Sequence, residues 1–230
     1  MVKDKSSGLT LASSVYEAIR LDIIEGNCRP GEKLQFDFLR DRYNVGISPI
    51  REALSRLHAD GWVVREEQRG FRVAEISKDE LLELVRTRVL IEGLAVREAI
   101  AAADIAAEEQ LVLAFHRLSK HHRHLPGDER TRNLEWEKRH REFHMALVAG
   151  CRLKWVIQYC GQLFDVAERY RFLAATVYPE RKEKGEHREI VDAYLAGEPG
   201  QVEALLAQHY QTTVDIILRS RAGQTMVPGT

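Results

Sequence analysis

The chain has 230 residues, 44% of them hydrophobic and 30% charged, which is enough apolar material for a core and excludes disorder as the main state. With 34 basic and 35 acidic residues the formal net charge is -1, so bulk charge argues neither for nor against nucleic acid. No run approaches the roughly 18 consecutive apolar residues of a membrane span, and no charged-then-apolar leader opens the chain. Cys28, Cys151 and Cys160 are scattered and odd in number, which excludes a disulfide framework and a thiolate zinc site. A cytoplasmic, reduced protein with no membrane partner is expected.

Two textures divide the chain, and the expected domains are residues 9–76 and 77–222. In the first, Leu11 to Ile24 is an amphipathic helix with Val15, Ile19 and Ile23 on one face. Asn27 to Gly31 is a turn, and a second helix runs from Phe36 to Tyr43. After the tight turn Val45-Gly46-Ile47, a third helix is expected to begin at Ser48, with Pro49 at its first position and Ile50, Leu54 and Leu57 buried. Trp62–Arg65 and Phe71–Val73 read as two strands joined by 66–70. Helix, helix, turn, helix and hairpin is the order of a winged helix-turn-helix. The third helix would then meet base edges with Ser48 and Arg51, and a wing tip would bring Arg69 and Gly70 to phosphate or a minor groove. Region 1–76 carries as many acidic as basic residues, so these arginines also fit a solvated surface.

Ser77, with Glu80 three residues later, marks a capping box opening the second region. Helices are expected over 78–104, 107–123, 129–149, 152–175, 180–196 and 199–221, with no strands, giving an all-α antiparallel bundle. The fold class is therefore mainly α. The run Lys120 to His124 reads as a solvated helix end.

His140 and His144, at i and i+4 on one helix, have the spacing by which two imidazoles chelate a metal, and His187 and His209 stand on later helices. Each alone also reads as a hydrogen-bonded core histidine. Arg88 lies on the otherwise apolar stripe Leu81, Val85, Glu92, Ala95, so it needs an anionic partner: a carboxylate ligand, or Glu92 four residues on. Arg169 and Arg171 are weaker effector candidates, since a pair of arginines on one helix reads more simply as solvated. His140-Arg141-Glu142-Phe143-His144 has no glutamate at either place a metalloprotease motif requires, so no general base is positioned. A metal-dependent helical enzyme or a metabolite sensor that does not bind DNA remain the alternatives.

The run Pro30-Gly31-Glu32-Lys33-Leu34, then Ser48-Pro49-Ile50-Arg51-Glu52-Ala53-Leu54, Gly61-Trp62, Gly70 and Val73 resembles the winged-helix domain of GntR-family transcription regulators. Members often carry arginine just before the serine of the third helix, where this chain has Ile47; that shifts the weight to Ser48, Arg51, Arg69 and Gly70. The second region resembles the family's FCD effector domain through Arg88 and Glu92, Phe143-His144, Glu186-His187 and His209, and is most similar to the CsiR-like branch. The resemblance implies a homodimeric, DNA-binding regulator, a repressor of a metabolic operon, that responds to a small organic acid and is not an enzyme. It also implies a divalent metal held by one aspartate and three histidines. His140 stands at the aspartate's place, which keeps a ligand, removes a negative charge and favours zinc or nickel.

Overall fold

The computed structural model describes residues 10–67, 69–125, 127–175, 183–219 and 226, with backbone only over 128–132 and 172–175. The chain divides into two compact units, Met1–Ile76 and Ser77–Thr230.

In the first unit, α1 (Leu11–Ile24) starts where the Thr10 side chain accepts the Ser13 amide, a cap that leaves fewer orphan donors in the first turn. Val15, Ile19 and Ile23 recur every fourth residue and bury one face against α3 (Ile47–Ala59). Between them lie β1 (Lys33–Leu34) and α2 (Phe36–Tyr43), which ends on Asn44 in the left-handed region at φ 52°. Helix α3 begins one residue earlier than expected, with Gly46 as its N-cap; Pro49 is thus the third helical residue, still in the turn whose N–H groups have no helical acceptor. Strands β2 (Val63–Glu66) and β3 (Gly70–Val73) form the expected hairpin. The short β1 adds to its far side, Leu34 opposite Phe71, giving an antiparallel sheet ordered β1-β3-β2. A two-residue strand carries too little periodicity to be read from sequence.

The second unit is a bundle of α4 (Lys78–Ala102), α5 (Ile105–Leu118), α6 (Leu134–Ala149), α7 (Lys154–Ala175), α8 (Glu183–Leu195) and α9 (Pro199–Arg219). α4 packs on α9 and α7, α5 on α6, and α8 on α9, around Leu111, Phe143, Leu147, Ile190, Val202 and Leu206. Ser77 caps α4 by accepting the Glu80 amide at 3.0 Å, but the Glu80 carboxylate takes the Tyr170 hydroxyl instead of closing the box. One expectation fails between α5 and α6. Helices over 107–123 and from 129 are interrupted by a β-hairpin, β4 (His124–Leu125) with β5 (Asp128–Arg132). Gly127 turns it at φ 81°, and the Asn133 carboxamide caps α6 by accepting the Glu135 and Trp136 amides. Breaker and cap together are stronger local signals than a helical pattern of charged residues. The expected helical residues 180–182 and 220–221 lie outside the described residues.

Candidate metal centre and DNA-reading surface

Helix α3 buries Ile50, Ala53, Leu54 and Leu57 completely, which leaves Ile47, Ser48, Arg51, Glu52 and Ser55 on its outer face. Ser48 and Arg51 are both exposed, and the Arg51 guanidinium rests 5.8 Å from the Phe36 ring centroid. Arg69 is exposed at the β2–β3 turn, where Gly70 takes a φ of 93° that side chains rarely adopt. Arg72 is tied back to Glu66 at 3.0 Å, so on this hairpin Arg69 is the more outward guanidinium. The α1–α2 arrangement behind this surface is fixed by a residue that periodicity does not flag. Buried Asp22 accepts two 2.7 Å hydrogen bonds from Arg42, one from Tyr43 and one from Asn27. Burial pushes its carboxyl up, but those donors outweigh it and hold it below the ordinary carboxylate range.

In the second unit, α6 supplies His140 and His144, α8 His187 and α9 His209; all four are buried, and one ring nitrogen of each lies within 4.8 Å of the others. Burial, then neighbouring cationic and imidazole groups, push His140 and His144 well below the usual histidine range, so both are neutral, the state a metal requires. The outer contacts orient the rings. His209 Nδ1 meets Glu186 at 2.6 Å, and His144 Nδ1 meets the Tyr210 hydroxyl at 3.3 Å, which itself donates to Glu92. Such partners turn a ring's second nitrogen toward the cluster centre. Trp136 stacks on His140 with centroids 4.6 Å apart and planes 12° from parallel. Glu142, the sole acid inside the His140–His144 stretch, is bound to Arg139 at 2.8 Å on the outer face and cannot serve as a base at the cluster.

The arginines separate clearly. Arg88 takes the internal partner, Glu92 at 2.8 Å, and donates to Tyr210 at 3.0 Å. Arg169 and Arg171 are 5% and 7% exposed, which corrects the reading of a solvated pair: α7 turns both inward. Arg171 donates to Glu137 at 2.6 Å and to His140 Nδ1. Arg123 and His124 are also buried, correcting the solvated helix end; Arg123 binds Glu183 at 2.7 Å and lies over Trp136. Arg88 and Arg171 share the wall of a small cleft with His140, His144 and His209; at about 20 Å³ it admits about one water. A larger cavity of about 200 Å³ opens where His187 meets Arg123, Trp136 and Lys184. Sequence reasoning missed Glu137 and Tyr210, and it quoted Glu186 only as part of the Glu186-His187 motif, without a role. The only available signal for Glu137 and Glu186 was an acid three residues before His140 and one just before His187.

Among the described residues no helix is long and apolar enough to cross a membrane. Residues 11–73 match the model of bacterial regulatory proteins of the gntR family, and residues 83–212 match the FCD domain. Among curated proteins, the chain is similar to the HTH-type transcriptional repressor GlaR of Escherichia coli K12, 36% identical over 215 residues that cover 90% of this chain and 96% of the relative. It is also similar to the transcriptional regulator BphR of Paraburkholderia xenovorans LB400, 33% identical with 90% and 85% covered. The fold matches the solved structure of E. coli McbR/YncC with a TM-score of 0.72 at 21% identity, covering 92% of this chain and 98% of that one. A GntR regulator from Rhodococcus sp. RHA1 matches with a TM-score of 0.69 at 21% identity, covering 91% and 99%. The likeness to these relatives runs along nearly their whole length, and this chain, a winged helix followed by a helical unit that closes on four buried histidines, belongs to the GntR family of DNA-binding transcription regulators, in the branch carrying an FCD domain.

Proposed function

We propose that this regulator is a cytoplasmic homodimeric repressor of a metabolic operon, that residues 9–76 read a pseudo-palindromic operator, and that residues 77–222 sense a small carboxylate through a bound transition metal, zinc or nickel. Two relatives are named repressors, GlaR and RspR of E. coli, and another is named as a probable repressor of a D-xylose utilization operon. Each recognition helix spans only a few base pairs, so a symmetric pair of half-sites supplies the affinity one cannot. Ser48 and Arg51 meet base edges, Arg51 with two parallel donors for guanine; Arg69, with Gly70 allowing close approach, meets phosphate or the minor groove.

The observation that carries the sensing half is the convergence of His140, His144, His187 and His209 in a buried, oriented cluster. A bound divalent ion would supply Lewis acidity and net positive charge to a carboxylate. Charge balance favours that source. Arg88, Arg123 and Arg171 already face Glu92, Glu183 and Glu137, whereas four neutral imidazoles with the one Glu186 carboxylate against His209 leave a divalent ion's charge in excess. Arg88, on the cleft wall, and buried Arg169 orient the acid rather than supply the unbalanced charge. A mobility shift on DNA upstream of the protein's own gene tests the DNA half. Arg51→Ala should cost roughly 1–3 kcal/mol and relax sequence preference. Arg69→Ala should weaken binding more evenly across sequences; unchanged binding by both variants would remove this surface from the account. Elemental analysis should find about one transition-metal ion per chain in wild type and less in His144→Ala and His209→Ala. Equal metal in all three would place the ion elsewhere.

A further inference from the structure

Resting on the metal reading above, we infer a division of labour inside the cluster: His144, His187 and His209 hold the ion, while His140 is no ligand and presents an N–H to whatever oxygen completes the ion's shell. The contacts of His140 differ in kind from those of its neighbours. A guanidinium has five donors and no acceptor, so the hydrogen bond from Arg171 Nη1 falls on a lone pair at His140 Nδ1. A neutral imidazole has one lone pair and one N–H, which puts the proton on Nε2. That N–H donates to the His144 Nε2 lone pair at 3.1 Å, so an ion taking the lone pair would free it for an oxygen beside the ion. His144 and His209 have the opposite arrangement: their Nδ1 atoms face a tyrosine hydroxyl and a carboxylate, both able to accept a proton, and their Nε2 lone pairs point inward.

For His140 to ligate through Nε2, its proton would have to move to Nδ1 and point into the guanidinium. Arg171 has no room to withdraw. It is bound to Glu137 at 2.6 Å, its Cζ lies 5.0 Å from the Phe164 ring centroid, and it is 7% exposed. His140 is held in turn by its stack on Trp136. The pairing is therefore a lock on one tautomer. Three ligands leave an ion with open positions, and the locked N–H adjoins one of them. The incoming group must accept a hydrogen bond and bind a metal at once, which a carboxylate oxygen does and an amine does not.

The test uses full-length protein stripped of metal and titrated with Zn²⁺ against a chromophoric chelator. His140→Phe keeps the aromatic stack and removes both nitrogens; it should bind one ion within about threefold of wild type. His144→Phe and His209→Ala, each losing a ligand, should weaken binding by roughly a hundredfold or more. A second arm releases the lock. Arg171→Met with Glu137→Gln frees the His140 tautomer and should tighten Zn²⁺ binding about tenfold. Adding His140→Phe to that pair should abolish the gain. If His140→Phe loses as much affinity as His144→Phe, His140 is an ordinary ligand; if the released lock adds nothing, Arg171 does not hold its tautomer; either result overturns the division while the metal reading stands. If wild type binds no Zn²⁺, both fail.

Discussion

At the scale of single residues, several buried polar groups in this chain are held by opposing partners, and the consequence of removing one depends on what is left behind. Arg88 and Glu92 are 3% and 4% exposed and join Tyr210 in one network. Arg88→Ala strands a buried carboxylate, and losses of about 3–5 kcal/mol are expected for breaking such a pair from one side. Arg88→Met with Glu92→Leu removes both charges and should recover most of the lost stability, read as the midpoint of urea unfolding. Asp22 provides a pH test. An unfolded aspartate titrates near 3.8, and the folded group lies lower, so its bonds to Arg42, Tyr43 and Asn27 stabilise the first unit fully above that value. The contribution falls away as pH drops through the folded value. Asp22→Asn should therefore cost stability at neutral pH and narrow its gap to wild type in acid. Parallel stability curves from pH 7 to about 2 would contradict this.

At the scale of elements, legibility follows length and punctuation. The third helix was readable from Gly46, Pro49 and the spacing of Ile50, Leu54 and Leu57, because one buried stripe of a single helix fixes its phase. The hairpin at 124–132 was not, since its strands are short and charged and no alternation marks them. In the cluster, the i,i+4 pair His140–His144 was visible because one helix sets both positions. Tyr210 was not, nor were the contacts of Glu186 and Arg171 with the histidines, because what places all three there is packing among four helices, which spacing within any one of them does not encode. Helix α6 carries two of the four histidines and begins at Asn133, whose side chain caps Glu135 and Trp136 and donates to the His122 carbonyl. Asn133→Ala should lower stability by about 1 kcal/mol, measured by thermal unfolding. A change within error would mean the hairpin alone fixes the start of the helix.

At the scale of the whole molecule, ligand histidines drawn from α6, α8 and α9 make a bound ion a cross-brace of the second unit. Stripping the metal should lower the melting temperature, and restoring Zn²⁺ at about a hundred times its dissociation constant should return roughly 2.7 kcal/mol through binding linkage. The same linkage joins sensing to DNA reading only if the acid binds one DNA-affinity state better than another. The decisive measurement is fluorescence anisotropy of metal-loaded, full-length protein on DNA from upstream of its own gene, titrated with small mono- and dicarboxylates beside His144→Ala. The account predicts that both proteins bind the DNA, that at least one acid shifts the wild-type affinity, and that the same acid leaves His144→Ala unmoved. An equal shift in the two proteins, or wild-type protein indifferent to every acid, would contradict a histidine-centred sensor.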